Sequence, residues 1–140
     1  MENENRVDIQ GELNYLRSLI DSMDNQLSVL IRGMDELRKT HAVLKEDQLA
    51  SAKEMRVTLG AGIFVKAKLE LDQNLFVPIG SDLYVEEESP KTLVRIEQNV
   101  KDIEVSIQNV QARRSEVSTR YNSLVSMVQQ QEQIQQKGQS

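Results

Sequence analysis

The sequence has no cysteine and no tryptophan, and only two phenylalanines and three tyrosines among 140 residues. Without cysteine there is no disulfide and no thiolate chemistry, which suits a reducing compartment. Aromatic side chains supply much of the area that a globular core buries, so a chain with so few argues against an ordinary packed domain. Two prolines and six glycines leave few turns. No apolar run approaches the roughly 18 residues of a membrane helix. The opening Met1-Glu2-Asn3-Glu4-Asn5 is acidic and polar, unlike a secretory signal peptide. A soluble cytoplasmic protein is the expectation. Net charge is −5, whereas nucleic-acid binders show a basic face, so neither nucleic acid nor membrane is expected as a partner. What is abundant is charge, at 28%, alongside 39% hydrophobic residues. That is the composition of long helices.

The apolar residues of the first third have a fixed rhythm. Ile9, Leu13, Leu16, Ile20, Met23, Leu27, Leu30, Met34, Leu37 and Leu44 follow steps of four and three, with His41 filling the remaining place. This is a heptad seam, period 3.5, and it predicts a helix over about 8–55. The pattern returns at Leu93, Ile96, Val100, Ile103, Ile107, Val110, Arg114, Val117, Tyr121, Leu124 and Val128. It predicts a second helix over about 90–133. Ser89-Pro90 marks its start, Ser as N-cap and Pro at the first helical position. Glu86-Glu87-Glu88 read as a solvated approach that suits the positive end of the helix dipole. Residues 134–140, at the end of a Gln-rich tail, are expected to be disordered.

Between the helices the period changes to two. Residues 63, 65, 67, 69 and 71 are apolar, and so are 75, 77 and 79. Alternation of this kind signals strands. Gly60-Ala61-Gly62 and Gly80-Ser81-Asp82 are turns, and a further turn is expected at Asp72-Gln73-Asn74. The reading is two β-hairpins over about 57–86, pairing 57–59 with 63–71 and 75–79 with 83–86.

Two helices of similar length around a short β segment imply that the second returns along the first. The fold class is mainly α with a small β insert. It is a long antiparallel two-helix coiled coil with two hairpins at the end opposite the termini, in a single subunit spanning 1–140. Charge agrees: residues 1–55 hold seven basic and eleven acidic residues, and 90–140 hold seven and five. If residue 52 faces 91, Ile9 lies near Ile134, Leu13 near Gln130, Leu16 near Met127, and Arg114 near Val29. Isolated hairpins are marginal in water, and a two-helix rod offers them no core. Their apolar faces and open edges therefore call for a sheet or barrel shared among subunits.

Several residues invite sharper readings and support plainer ones. His41 has no second His and no Cys beside it, so it reads as a seam residue rather than a metal ligand. Arg114 at an a position reads as a register-setting residue whose stem packs while its head reaches solvent. Gly60-Ala61-Gly62 lacks the Lys-Ser/Thr of a phosphate loop and enters a strand rather than a helix. No enzyme, metal or cofactor is expected, because a rod with a small β cap supplies no concave, preorganised site.

The order of helix, Leu59-Gly60-Ala61-Gly62-Ile63-Phe64-Val65, a second hairpin through Gly80-Ser81-Asp82-Leu83-Tyr84-Val85-Glu86, and helix resembles the alpha-type subunits of the prefoldin family, in their archaeal form. The resemblance runs from about residue 9 to 133. The second turn departs from it, since the family often repeats a Gly-Ala-Gly-like run there. The resemblance implies a hexamer of two alpha and four beta subunits. Their hairpins would join in a β-barrel platform carrying six coiled-coil arms. It implies an ATP-independent cytosolic chaperone whose arm tips hold unfolded proteins and pass them to a group II chaperonin. On this reading Val7, Ile9, Leu13, Val128 and Ile134 form the client-binding tip. Ile63, Val65, Leu69, Leu75, Val77, Ile79, Leu83 and Val85 carry oligomerisation. The alternative is a structural coiled-coil adaptor or tether that its β insert merely oligomerises.

Overall fold

The computed structural model describes residues 2–45, 54–69 and 74–139. Helix α1 spans Glu2–Lys45 and helix α2 spans Ser89–Gly138. Between them lie β1 (Met55–Gly60), β2 (Ile63–Ala67), β3 (Leu75–Gly80) and β4 (Leu83–Glu87). The chain divides into two units. The first holds Met1–Arg32 and Glu104–Ser140; the second holds Gly33–Ile103, including all four strands.

In the first unit the two helical segments run antiparallel. Glu12 accepts from Arg120 at 3.0 Å, and Asp24 accepts both an Nε–H and an Nη–H bond from Arg114. Leu16, Met23, Ile107, Val110 and Leu124 are buried there. All five are heptad seam positions. Every remaining seam residue of both helices is buried or half-buried, while Tyr15, Val29, Val94 and Val105, which lie off the seam, are exposed. Among the described residues, the buried apolar side chains of the helices therefore all come from a stripe with a period of 3.5 residues.

The register differs from the sequence estimate. Arg114 meets Asp24, about five positions short of Val29, and Val29 is exposed. Ile9 lines a groove with Val128 and Gln131 rather than meeting Ile134. The estimate assumed helix as far as residue 55. Met55 already belongs to β1, so the bound on which the estimate rested does not hold. The expected helix from 46 to 53 lies outside the described residues.

Other element ends shift as well: α1 starts at Glu2 rather than about 8, and β1 runs Met55–Gly60 rather than 57–59. Helix α2 runs to Gly138, so residues 134–138 are helical where disorder was expected. At its start, the Glu88 carbonyl accepts from the N–H groups of Lys91 and Thr92, both at 3.1 Å. Glu88, not Ser89, thus occupies the cap position, and Pro90 falls within the first turn, whose N–H groups have no helical partner. Strand β2 ends at Ala67, before Leu69, and the turn expected from Asp72 has its first two residues outside the described ones.

The second unit contains two hairpins on one plan. In β1–β2 the pairs are Met55↔Ala67, Arg56↔Lys66, Val57↔Val65 and Thr58↔Phe64, then a bulge, then Gly60↔Ile63. In β3–β4 they are Leu75↔Glu87, Phe76↔Glu86, Val77↔Val85 and Pro78↔Tyr84, then a bulge, then Gly80↔Leu83. Each pair in one hairpin has its counterpart twenty positions along in the other. Both loops have positive φ at both central residues, Ala61 and Gly62 in one, Ser81 and Asp82 in the other. That is the turn geometry whose twist matches a right-handed hairpin. The sequence departure at Ser81-Asp82 therefore leaves the turn conformation unchanged, because Asp tolerates the left-handed region better than most residues.

Candidate functional site

Two surfaces carry apolar side chains that the chain itself does not cover. The first lies in the helical unit, where α1 begins and α2 ends. Arg6, Ile9, Gln10, Val128, Gln131, Glu132 and Gln135 line a groove of about 330 Å³. Arg6 closes one side by donating to the Gln135 side-chain oxygen. Ile9, Leu13 and Val128 are seam residues and are half-buried. Val7 and Ile134 fall off the heptad and are 71% and 70% exposed. Ile134 borders Asn5 and Arg6 in an adjoining groove, whereas Val7 lies beside Asn3, Glu4 and Asp8. Four of the five residues expected to form a tip thus fall into three settings, Ile9 with Val128, Ile134 with Arg6, and Val7 beside Asn3, Glu4 and Asp8, while Leu13 is a half-buried seam residue. Sequence reading missed Tyr15 and Met127, which are also exposed in this unit. Both stand off the seam, and that offset was the available signal.

The second surface is the pair of hairpins. Strand alternation places Val57, Val65, Leu75, Val77 and Val85 on one face of their hairpins. The expected assembly residues Ile63, Val65, Ile79, Leu83 and Val85 are exposed, as is Leu69 beyond the end of β2. Leu75 and Val77 are half-buried. The opposite face is not polar in the ordinary way, for it holds Phe64, Phe76 and Tyr84, at 58%, 65% and 61% exposure. Neither face has a core to rest on among the described residues.

The run Glu86-Glu87-Glu88 separates into three roles. Glu86 is exposed opposite Phe76, and Glu88 caps α2 with its carbonyl. Glu87 corrects the expectation of a solvated run, because its side chain is almost wholly buried and pairs with Arg95. Its second oxygen, Oε1, is buried without a hydrogen-bond partner. Glu87 ends β4 just before α2 begins, and Arg95 in the early turns of that helix is the residue that pairs with it. His41, the single histidine, meets Glu97 through Nε2 at 2.9 Å. That hydrogen bond is the largest influence holding the Glu97 carboxyl below its ordinary value. Arg114 does the same to Asp24, again chiefly by hydrogen bonding. These contacts are structural. Among the described residues no cluster of His, Asp and Glu could hold a metal ion, and no helix is long and apolar enough to cross a membrane.

A family model described as "Prefoldin subunit" matches residues 16–135. The chain belongs to the prefoldin family. Similar sequences include the prefoldin subunit alpha of Thermoplasma acidophilum, 37% identical over 117 residues, covering 84% of this chain and 90% of the relative. The prefoldin subunit alpha of Thermoplasma volcanium is 38% identical over 92 residues, covering 66% and 71%. Among solved structures, a chain of the filamentous prefoldin of Methanocaldococcus jannaschii superposes with a TM-score of 0.70 at 20% identity. The match covers 84% of this chain and 98% of that one. At that identity the likeness concerns the fold alone. It matches the architecture expected from the sequence, two long helices and two small antiparallel hairpins. Prefoldin is a family of chaperone subunits that assemble into hetero-oligomers, and it is not a known enzyme family. The matched stretch takes in Val128, Ile134 and the whole β insert, while Val7, Ile9 and Leu13 precede it.

Proposed function

We propose that this chain is the alpha subunit of an ATP-independent holdase that binds unfolded polypeptides through Val7, Ile9, Leu13, Val128 and Ile134. The observation that carries the reading is the apolar surface left open where α1 begins and α2 ends, above all at Val7 and Ile134. A non-native client offers scattered apolar groups. Each arm contact is weak, and several arms on one platform multiply it through effective concentration. Release then needs no nucleotide, and a group II chaperonin takes the client onward.

The platform is the role proposed for the β insert. Ile63, Val65, Leu69, Leu75, Val77, Ile79, Leu83 and Val85 would join those of other subunits in a shared barrel. Two alpha chains with four beta subunits is the proposed composition, and the cytoplasm the proposed location. Exposed apolar strand faces support this, since contiguous apolar patches mark interaction surfaces.

The test is a chain lacking residues 1–13 and 128–140, co-expressed with the candidate beta subunit. The assembly mass is expected to stay that of a hexamer less the removed residues. Suppression of client aggregation without ATP is expected to disappear. Undiminished protection by the truncated hexamer would refute the tip assignment.

A further inference from the structure

Six of the eight residues from Gln129 to Gln136 are glutamine. A helix end that needed only solubility would be served by the charged residues that make up 28% of the chain. Glutamine adds something a charge does not, for its amide both donates and accepts, as a peptide group does. Gln131 and Gln135 line the groove of about 330 Å³ and the adjoining one of about 240 Å³. Gln10 lines the first of these from α1. Gln131 and Gln135 stand one turn apart on α2, about 6 Å along its axis. In an extended peptide the groups on one edge repeat every second residue, about 6.6 Å. The two spacings nearly coincide. The two helices also offer opposite halves of a hydrogen bond. Gln135 accepts from Arg6 through its side-chain oxygen, which leaves its Nε2 donors. Gln10 donates to the Asn14 side-chain oxygen at 3.3 Å, which leaves its Oε1 as an acceptor. Among the described residues no other hydrogen bond engages those two atoms.

Apolar contact alone does not tell an unfolded chain from a folded one, since roughly 55–60% of a folded protein's accessible surface is apolar. What a folded protein seldom offers is a free run of backbone, because its N–H and C=O groups are taken up in helices and sheets. We propose that Gln10, Gln131 and Gln135 read the main chain of the client, by hydrogen bonds to the unpaired peptide groups of an extended segment whose apolar side chains meet Ile9 and Val128. The groove then takes an extended segment as a sheet edge takes a strand, with main-chain bonds giving affinity and side-chain contacts giving preference. This recognition rests on the arm tip as the client site and adds which part of the client is read. It is independent of client sequence, because every residue but proline presents the same donor and acceptor.

The chain has no cysteine, so Ser126→Cys, at an exposed position beside the groove residue Val128, takes a single environment-sensitive dye before assembly with the candidate beta subunit. The dye reports on this arm alone. The probe is an unstructured peptide of leucine, serine and glycine, used plain and with alternate backbone nitrogens methylated. Methylation removes donors and adds apolar surface, so apolar contact alone predicts tighter binding. Main-chain recognition predicts binding about tenfold weaker, the loss of one or two net hydrogen bonds. This comparison needs no substitution in the groove. A second one uses Gln10→Met, Gln131→Met and Gln135→Met together. Methionine keeps an unbranched side chain of similar helix propensity and removes the amide. Affinity for the plain peptide should fall at least about tenfold, and the methylated peptide should bind this variant no more weakly than the plain one. Equal or tighter binding of the methylated peptide to the unsubstituted groove overturns the proposal. So does a triple variant that binds the plain peptide undiminished. A labelled chain lacking residues 1–13 and 128–140 separates the two readings. Undiminished binding there sinks the tip assignment itself, whereas loss there with undiminished binding by the triple variant overturns main-chain recognition alone.

Discussion

At the scale of single residues, the seam was legible and its partners were not. A 3.5 period shows which side chains turn inward, because helix geometry fixes that locally. It does not show what they face, since facing depends on where the chain turns back. Arg114 illustrates both. Its a position marked it as the seam's polar residue, and the structure confirms a half-buried place. Its partner, Asp24, does not follow from the heptad alone. The pair has a measurable signature. Asp24 is held below the ordinary carboxylate range chiefly by the hydrogen bond from Arg114, which outweighs the opposing cost of desolvation, with the charge of Arg114 adding a smaller pull. Arg114 is raised by the same bond. A depressed carboxyl contributes stability that is present above its unfolded value, near 3.9, and lost as pH falls through the folded value. Asp24→Asn should therefore lower the thermal midpoint at neutral pH. The difference from the unaltered chain should narrow below about pH 4 and close at still lower pH. A gap that stays constant from pH 7 to pH 2 would show that the charge of Asp24 plays no part.

At the scale of elements, the strands were legible because alternation is strong and turn residues punctuate it. Their finer plan was not. Leu59 and Ile79 fall at bulges, which strict alternation cannot reveal, and Glu87 is buried where β4 meets α2 and pairs with Arg95, a setting its acidic neighbours disguise. The two glycines that lead into the loops carry the plan. Gly60 and Gly80 have φ of 119° and 108°, where a Cβ is disfavoured. A Cβ at either position would meet nothing within 4 Å, so the cost of alanine there is backbone strain and not a clash. Gly80→Ala should destabilise its hairpin by about 1–3 kcal/mol. Faster amide exchange in β3 and β4, with β1 and β2 and the helices unchanged, would be the sign. Equal acceleration in both hairpins would mean that they unfold as one body rather than as two repeats.

At the scale of the whole molecule, the scarcity of aromatics acquires a physical meaning. No described residue is more than 98% buried, so the helices share a stripe rather than a centre. Phe64, Phe76 and Tyr84, three of the five aromatics, stand exposed on the hairpins. A core for those side chains has to come from other chains, and stability then follows mass action, because whatever binds only the folded form stabilises it. The thermal midpoint of the isolated chain should rise with protein concentration, and rise further with the candidate beta subunit in excess. Saturation at about 100 times the dissociation constant corresponds to roughly 2.7 kcal/mol, which separates partner-dependent folding from mere contact between finished subunits. Calorimetry across a hundredfold range of concentration decides between them. A midpoint that does not move would show that the seam alone holds the chain folded and that the hairpins meet their partners as an afterthought.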